Sequence, residues 1–129
     1  MEDMSKVKFT QEYIIKASPA LLYNYISTPS GLSEWFADNV NSRGKRFTFH
    51  WDGEDQEAEL VSKKTNSFVK FKWLNEEDEE ETFFEMKIVV DELTKDVSLM
   101  VTDFADEDEV EEARMLWDSQ IEELHHIIG

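Results

Sequence analysis

Between Glu107 and Ile128 the apolar residues Val110, Ala113, Trp117, Ile121, Leu124 and Ile128 recur at gaps of three and four, while Glu111, Glu112, Asp118, Glu122 and Glu123 fall elsewhere on the wheel. That spacing predicts an amphipathic helix, roughly 33 Å long at about 1.5 Å per residue. Asp106 with Glu109 three residues on predicts an N-cap, and the carboxylates around it suit the positive end of the helix dipole. His125 and His126 fall in the last turn, before Gly129. The apolar stripe needs a surface to lie on.

Upstream the period is two. Val7, Phe9, Tyr13 and Ile15 alternate with mostly polar residues, with Gln11 interrupting the inner face and Ile14 the outer, which predicts a half-buried strand. Ser18-Pro19 and Thr28-Pro29 are N-cap and first-turn pairs. They open one short helix with Leu22, Tyr23 and Ile26 on its apolar face and a second short helix or turn from Ser30 to Phe36. A meander follows: a weak strand Asn39 to Ser42, a turn at Arg43-Gly44-Lys45, then Phe47, Phe49 and Trp51 in alternation. Asp52-Gly53 is a hairpin signal. Ala58, Leu60 and Ser62 form the inner face of the next strand, and Val69, Phe71 and Trp73 that of the one after. Phe84, Met86, Ile88 and Val90, then Val97, Leu99 and Val101, complete the pattern. The expectation is an α+β fold: one curved antiparallel sheet of about six to seven strands wrapped around the long C-terminal helix, with two short helices between strands 1 and 2. No internal repeat or long linker divides the chain, so residues 1–129 read as one domain.

Composition narrows the function classes. The 129 residues carry 30 acidic against 13 basic side chains, a formal charge of -17. Such a charge opposes approach to nucleic acid or an anionic membrane surface. The charge is concentrated in Glu76 to Glu81 and in Asp103 to Glu112, runs that read as solvated turns or a helix start, or else as a surface for a basic protein partner. Without cysteine there is no disulfide or thiolate chemistry. The N-terminus has no signal-peptide core and no run is long enough to span a membrane, which gives a cytoplasmic protein as the expectation.

The segment from Ala17 to Ala37, with Ser18-Pro19, Thr28-Pro29, Leu32 and Trp35-Phe36, resembles the N-terminal signature of the START-like (birch-pollen-allergen-like, SRPBCC) superfamily. It is most similar to the branch of activators of the heat-shock protein 90 ATPase. Trp117 followed by Ile121 and Leu124 is similar to that branch's final helix. The resemblance implies a helix-grip fold with a cavity between sheet and helix that in many members takes an apolar or amphipathic ligand. Its members include lipid carriers, cyclases and co-chaperone-like domains, so the fold alone does not select a function. The lone Gly44, where relatives often have a glycine-rich turn, and the acidic Glu76 to Glu81 hairpin depart from the family pattern.

Phe49, Trp51, Val69, Phe71, Trp73, Phe84, Met86 and Trp117 either line such a cavity or fill the interior. Trp35 and Phe36 stand at its entrance or seal the sheet against the short helices. Gln120 or Tyr13 supplies a polar contact. His50 alternates to the opposite face, and adjacent His125 and His126 point about 100° apart on a helix, so no metal site is expected. No Ser-His-Asp set, phosphate loop or nucleophile elbow is present. The strand inner faces read as almost wholly apolar, so no catalytic acid or base is placed and no cofactor is implied. The expectation is non-catalytic binding of a small apolar or amphipathic ligand. The alternative is an interaction module acting through an acidic surface. Ile14, Phe68, Phe83 and Val89, apolar on the nominal outer face, either form a homodimer interface, pack beneath the short helices or stand singly.

Overall fold

The computed structural model describes residues 6–74 and 82–128. The acidic run Glu76 to Glu81 lies outside the described residues, as does Gly129.

Strand β1 (Lys6–Ile14) is followed by helices α1 (Pro19–Ser27) and α2 (Pro29–Trp35). Then come β2 (Asn39–Arg43), β3 (Arg46–Trp51), β4 (Glu54–Lys64), β5 (Phe68–Trp73), β6 (Phe83–Val90) and β7 (Val97–Asp106). A single 3-10 turn, Glu107–Glu109, leads into α3 (Val110–Ile128). Among the described residues the seven strands form one antiparallel sheet in the order β1-β7-β6-β5-β4-β3-β2. The two short helices carry the chain from one edge of the sheet to the other, and a meander brings it back. The expected α+β architecture is therefore the observed one.

Local chemistry explains each break in the sheet. Ser18 Oγ accepts from the Leu21 amide at 3.1 Å, and Thr28 Oγ1 accepts from the Gly31 amide at 3.0 Å, so both helix starts are capped as their Ser-Pro and Thr-Pro pairs require. Thr28 alone separates α1 from α2, and its hydroxyl also donates to the Asn24 carbonyl at 2.8 Å. Ser33 Oγ donates to the Pro29 carbonyl at 2.8 Å and accepts from the Val40 amide at 2.9 Å, tying α2 to edge strand β2. Asp52 and Gly53 both take positive φ, +45° and +85°, the conformation a two-residue hairpin turn demands.

The core lies between one face of the sheet and the helices. Trp117, Ile121 and Leu124 are the buried residues of α3, and they meet Phe9, Leu99, Val101 and Ala105 within one apolar cluster. Each large side chain taken fully out of water there contributes about 1.5–3 kcal/mol. β1 is further tied to α3 by a polar network where Gln11 breaks the apolar face. Tyr13 donates to Asp118 Oδ1 at 2.7 Å, Arg114 donates to Gln11 Oε1 at 3.1 Å, and the Gln11 amide contacts the Tyr13 hydroxyl. Burial and the bond to Asp118 hold the Tyr13 hydroxyl protonated, its pKa far above that of a free phenol.

Several expectations are corrected. Asp106 stands at the start of the terminal helical segment, but its side chain makes no capping bond. It reaches across the sheet to Lys6 Nζ at 3.3 Å instead, and Glu109 falls in the 3-10 turn. A register irregularity between Leu60 and Ser62 sets Ser62 opposite Lys70, on the exposed outer face. Val7 and Val90, at strand ends, are 38% and 45% exposed. On the outer face Phe83 packs edge-on against Phe104, with Lys70 Nζ 4.1 Å above its ring, while Ile14 is 58% exposed.

Candidate functional site

The inner-face alternation of β3 and β5 delivers Trp51 and Trp73 to the same end of the sheet. α2 ends by placing Phe36 over them. α3 enters from the other side with Trp117 and, one turn later, Gln120. These five residues, with Glu54, Gln56, Asp103 and Leu116, line a cleft of about 420 Å³ between the sheet and α3. Glu54, Gln56 and Leu116 are exposed and form its rim.

Phe36 is the keystone of this end. Its ring lies 5.3 to 5.5 Å from those of Trp35, Phe49, Trp51, Phe84 and Trp117. Such offset and edge-on pairs are each worth about 0.5–1.5 kcal/mol beyond burial. Its carbonyl oxygen accepts from Trp51 Nε1 at 2.8 Å and from Gln120 Nε2 at 2.7 Å, so one backbone atom orients two walls of the cleft.

The third wall is oriented by a carboxylate. Trp117 Nε1 donates to Asp103 Oδ2 at 2.8 Å, and the Phe104 amide donates to Asp103 Oδ1 at 2.7 Å. Burial among the rings pushes the Asp103 carboxyl above the usual carboxylate range, and these two donors oppose the rise without cancelling it. The sign of its effect on stability follows. Between the unfolded and folded pKa values the folded chain holds a proton that the unfolded chain has lost, so protonation favours the fold at low pH. That advantage is lost as pH rises through the folded value. Asp103→Asn removes the titration, so denaturant midpoints of the parent should fall relative to the variant across that window. Parallel midpoints at every pH would contradict the burial.

The residues singled out in the sequence separate here. Phe36, Trp51, Trp73, Trp117 and Gln120 line the cleft. Phe49, Val69, Phe71, Phe84 and Met86 are wholly buried and fill the layer behind it, Phe71 stacking on Phe84 at 5.0 Å. Trp35 seals the helices, its Nε1 donating to the Tyr25 carbonyl at 2.8 Å. Tyr13 is taken up by Asp118, away from the cleft. His50 lies on the outer face between Asn41 Nδ2, at 3.0 Å, and the Asp55 carboxylate. His125 Nε2 lies 3.0 Å from the Ile14 carbonyl, pinning the end of α3 to β1.

Asp103, Glu54 and Gln56 correct the expectation of apolar inner faces. The signal for them was available. Carrying the Val97, Leu99, Val101 alternation two residues further puts Asp103 inward, opposite Phe9. Folding the Asp52-Gly53 hairpin puts Glu54 opposite Trp51 and Gln56 opposite Phe49. Leu116 had no such signal, because its place follows from how α3 lies on the sheet.

Comparison with known proteins agrees with this architecture. The chain is similar to BfR322 from Bacteroides fragilis, with 41% identity over 98% of this chain and 93% of that one, at a TM-score of 0.66. It shares the fold of the Aha1 dimer from Colwellia psychrerythraea, with 18% identity, 95% and 96% coverage and a TM-score of 0.81. It shares it also with CalU16 from Micromonospora echinospora, with 14% identity, 96% and 76% coverage and a TM-score of 0.68. No curated protein matches the chain in sequence. No helix among the described residues is long and apolar enough to cross a membrane. The family model for a START-like superfamily domain matches residues 3–129, and the chain belongs to that superfamily.

Proposed function

We propose that the chain is a non-catalytic binding protein whose cleft between sheet and α3 holds a small apolar or amphipathic molecule. The observation that carries this reading is the cleft itself. Three tryptophans and a phenylalanine converge on about 420 Å³ of space, within the size range of small-molecule sites, with Glu54, Gln56, Asp103 and Gln120 as its polar groups. Membership of a superfamily that commonly binds hydrophobic ligands supports it. The walls are held in place by hydrogen bonds to Phe36 and Asp103, so a ligand meets a largely preformed site.

Titration with a panel of small apolar, aromatic and amphipathic molecules should shift the tryptophan emission. Trp73→Ala, which removes a half-buried wall, should weaken the response about tenfold, corresponding to about 1.4 kcal/mol. A flat emission signal across the panel, together with no heat of binding, would sink the reading.

A second reading, an interaction module with an acidic surface, is favoured by one observation. Glu54, Asp55, Glu57 and Glu59 are all exposed along β4. The acidic run that motivates it most strongly lies outside the described residues, so the cleft carries the primary reading.

A further inference from the structure

The polar atoms of the cleft have a sign. Three of its donors are already committed, Trp51 Nε1 and Gln120 Nε2 to the Phe36 carbonyl and Trp117 Nε1 to Asp103, and the neutral donors that remain belong to Trp73 and Gln56. The charged groups of the lining are all carboxylates, with Asp103 inside and Glu54 on the rim. No Lys, Arg or His is among the described lining residues. Lys6 lines the wider groove beyond Trp73 and Asp103, but it is held by Asp106 at 3.3 Å. A fatty-acid carboxylate would therefore enter against like charge with few donors to receive it.

We propose that the cleft binds a hydrophobic organic cation, an alkylamine or quaternary ammonium head with an apolar tail. Its charge would be received by the Asp103 and Glu54 carboxylates and by the faces of Trp51, Trp73 and Trp117. The proposal rests on reading the cleft as a ligand site and narrows its ligand class. Electron-rich indole faces attract a cation directly, and more strongly where water is excluded. Asp103 adds a second reason, because burial penalises its charged form in the empty cleft. A cation beside it offsets that penalty, whereas a neutral or anionic guest does not. The formal charge of -17 draws cations toward the whole molecule. The tail would lie along Phe36 and Leu116, where the lining is apolar.

The test uses three probes with the same tail, octyltrimethylammonium, octanol and octanoate, below their micelle concentrations and in about 0.15 M salt, where the general field of the molecule is screened beyond about 8 Å. Binding is followed by calorimetry and tryptophan emission. The cation should bind about tenfold more tightly than either other probe. Asp103→Asn, and independently Glu54→Gln on the exposed rim, should each remove most of that preference, read within each variant as the ratio of cation affinity to octanol affinity. Glu59→Gln, on the outer face of β4, should change nothing. Circular dichroism establishes that each variant is folded. Octanoate or octanol binding as tightly as the cation would overturn the cation assignment and leave the cleft a general apolar site. So would a loss in Glu59→Gln equal to that in Asp103→Asn, which would assign the preference to overall charge. If no probe binds and the wider panel is also silent, the binding reading falls, and this inference with it.

Discussion

Trp117→Ala is expected to destabilise the protein by about 3–5 kcal/mol, the range for removing a buried aromatic side chain when the surroundings cannot fully collapse. Trp117 is only 4% exposed and lies against Phe36 and Phe84, with ring centroids 5.5 and 6.2 Å away. The neighbouring rings are themselves pinned, which argues for the upper part of the range. The substitution also strips Asp103 of a donor at 2.8 Å, leaving a desolvated carboxyl with only the Phe104 amide. At the scale of this chain the thermal midpoint should drop by about 10 °C or more. Trp117→Phe separates the two contributions. It keeps most of the apolar volume and loses the N–H, so its cost should be nearer the roughly 1–3 kcal/mol of an unsatisfied buried group. A loss below about 1 kcal/mol in Trp117→Ala would show that α3 is not clasped by the sheet through this residue.

The second large effect is expected at Gly31. A Cβ there would stand 2.2 Å from the Asn24 carbonyl oxygen, 2.7 Å from Tyr25 Cα and 2.9 Å from Thr28 Oγ1. The first two are backbone atoms of α1, and only Thr28 joins the two helices, so neither side can move without disturbing the cap at Thr28. Alanine normally gains about 1 kcal/mol over glycine inside a helix. Here the steric cost outweighs it, since even an extra methylene in a packed core costs about 1–3 kcal/mol and the two nearest atoms are backbone, which yields less easily than a side chain. Gly31→Ala should therefore destabilise by about 2 kcal/mol or more net, whereas Ser30→Ala, at the exposed neighbour, should stay within about 0.5 kcal/mol. Because α2 positions Phe36, and the Phe36 carbonyl orients Trp51 and Gln120, the variant should also weaken ligand binding. Equal stability of the two variants would refute the close approach.

The two cases show where the sequence speaks. Thr28-Pro29 announces a helix start, and its glycine two residues later looks like an ordinary early-helix residue. That this glycine touches α1 depends on the angle set by one connecting residue, which no local pattern encodes. Asp106 tells the same story in reverse. It has the residue type and spacing of a cap, yet a lysine 100 residues away in the chain competes for its carboxylate and wins, because β1 and β7 are paired side by side. Asp103 was within reach of sequence reasoning through simple alternation, but its two donors and its place among rings were not.

Binary pattern by itself determined the elements. The period of two, the period near 3.6 and the Ser-Pro, Thr-Pro and Asp-Gly punctuation follow from backbone geometry that each residue feels locally. The same pattern specified that an apolar helix face meets an apolar sheet face, and the Ala17 to Ala37 segment placed the chain among START-like proteins. Only the tertiary structure decided which aromatics fill and which line. Phe71 and Trp73 sit on the same face of one strand, and Phe49 and Trp51 likewise, but in each pair the first is wholly buried and the second borders the cleft. The difference arises from where α2 and α3 end over the sheet. A strand alternation assigns a side chain to a face, whereas depth beneath that face is set by what another element, distant in sequence, lays on top of it.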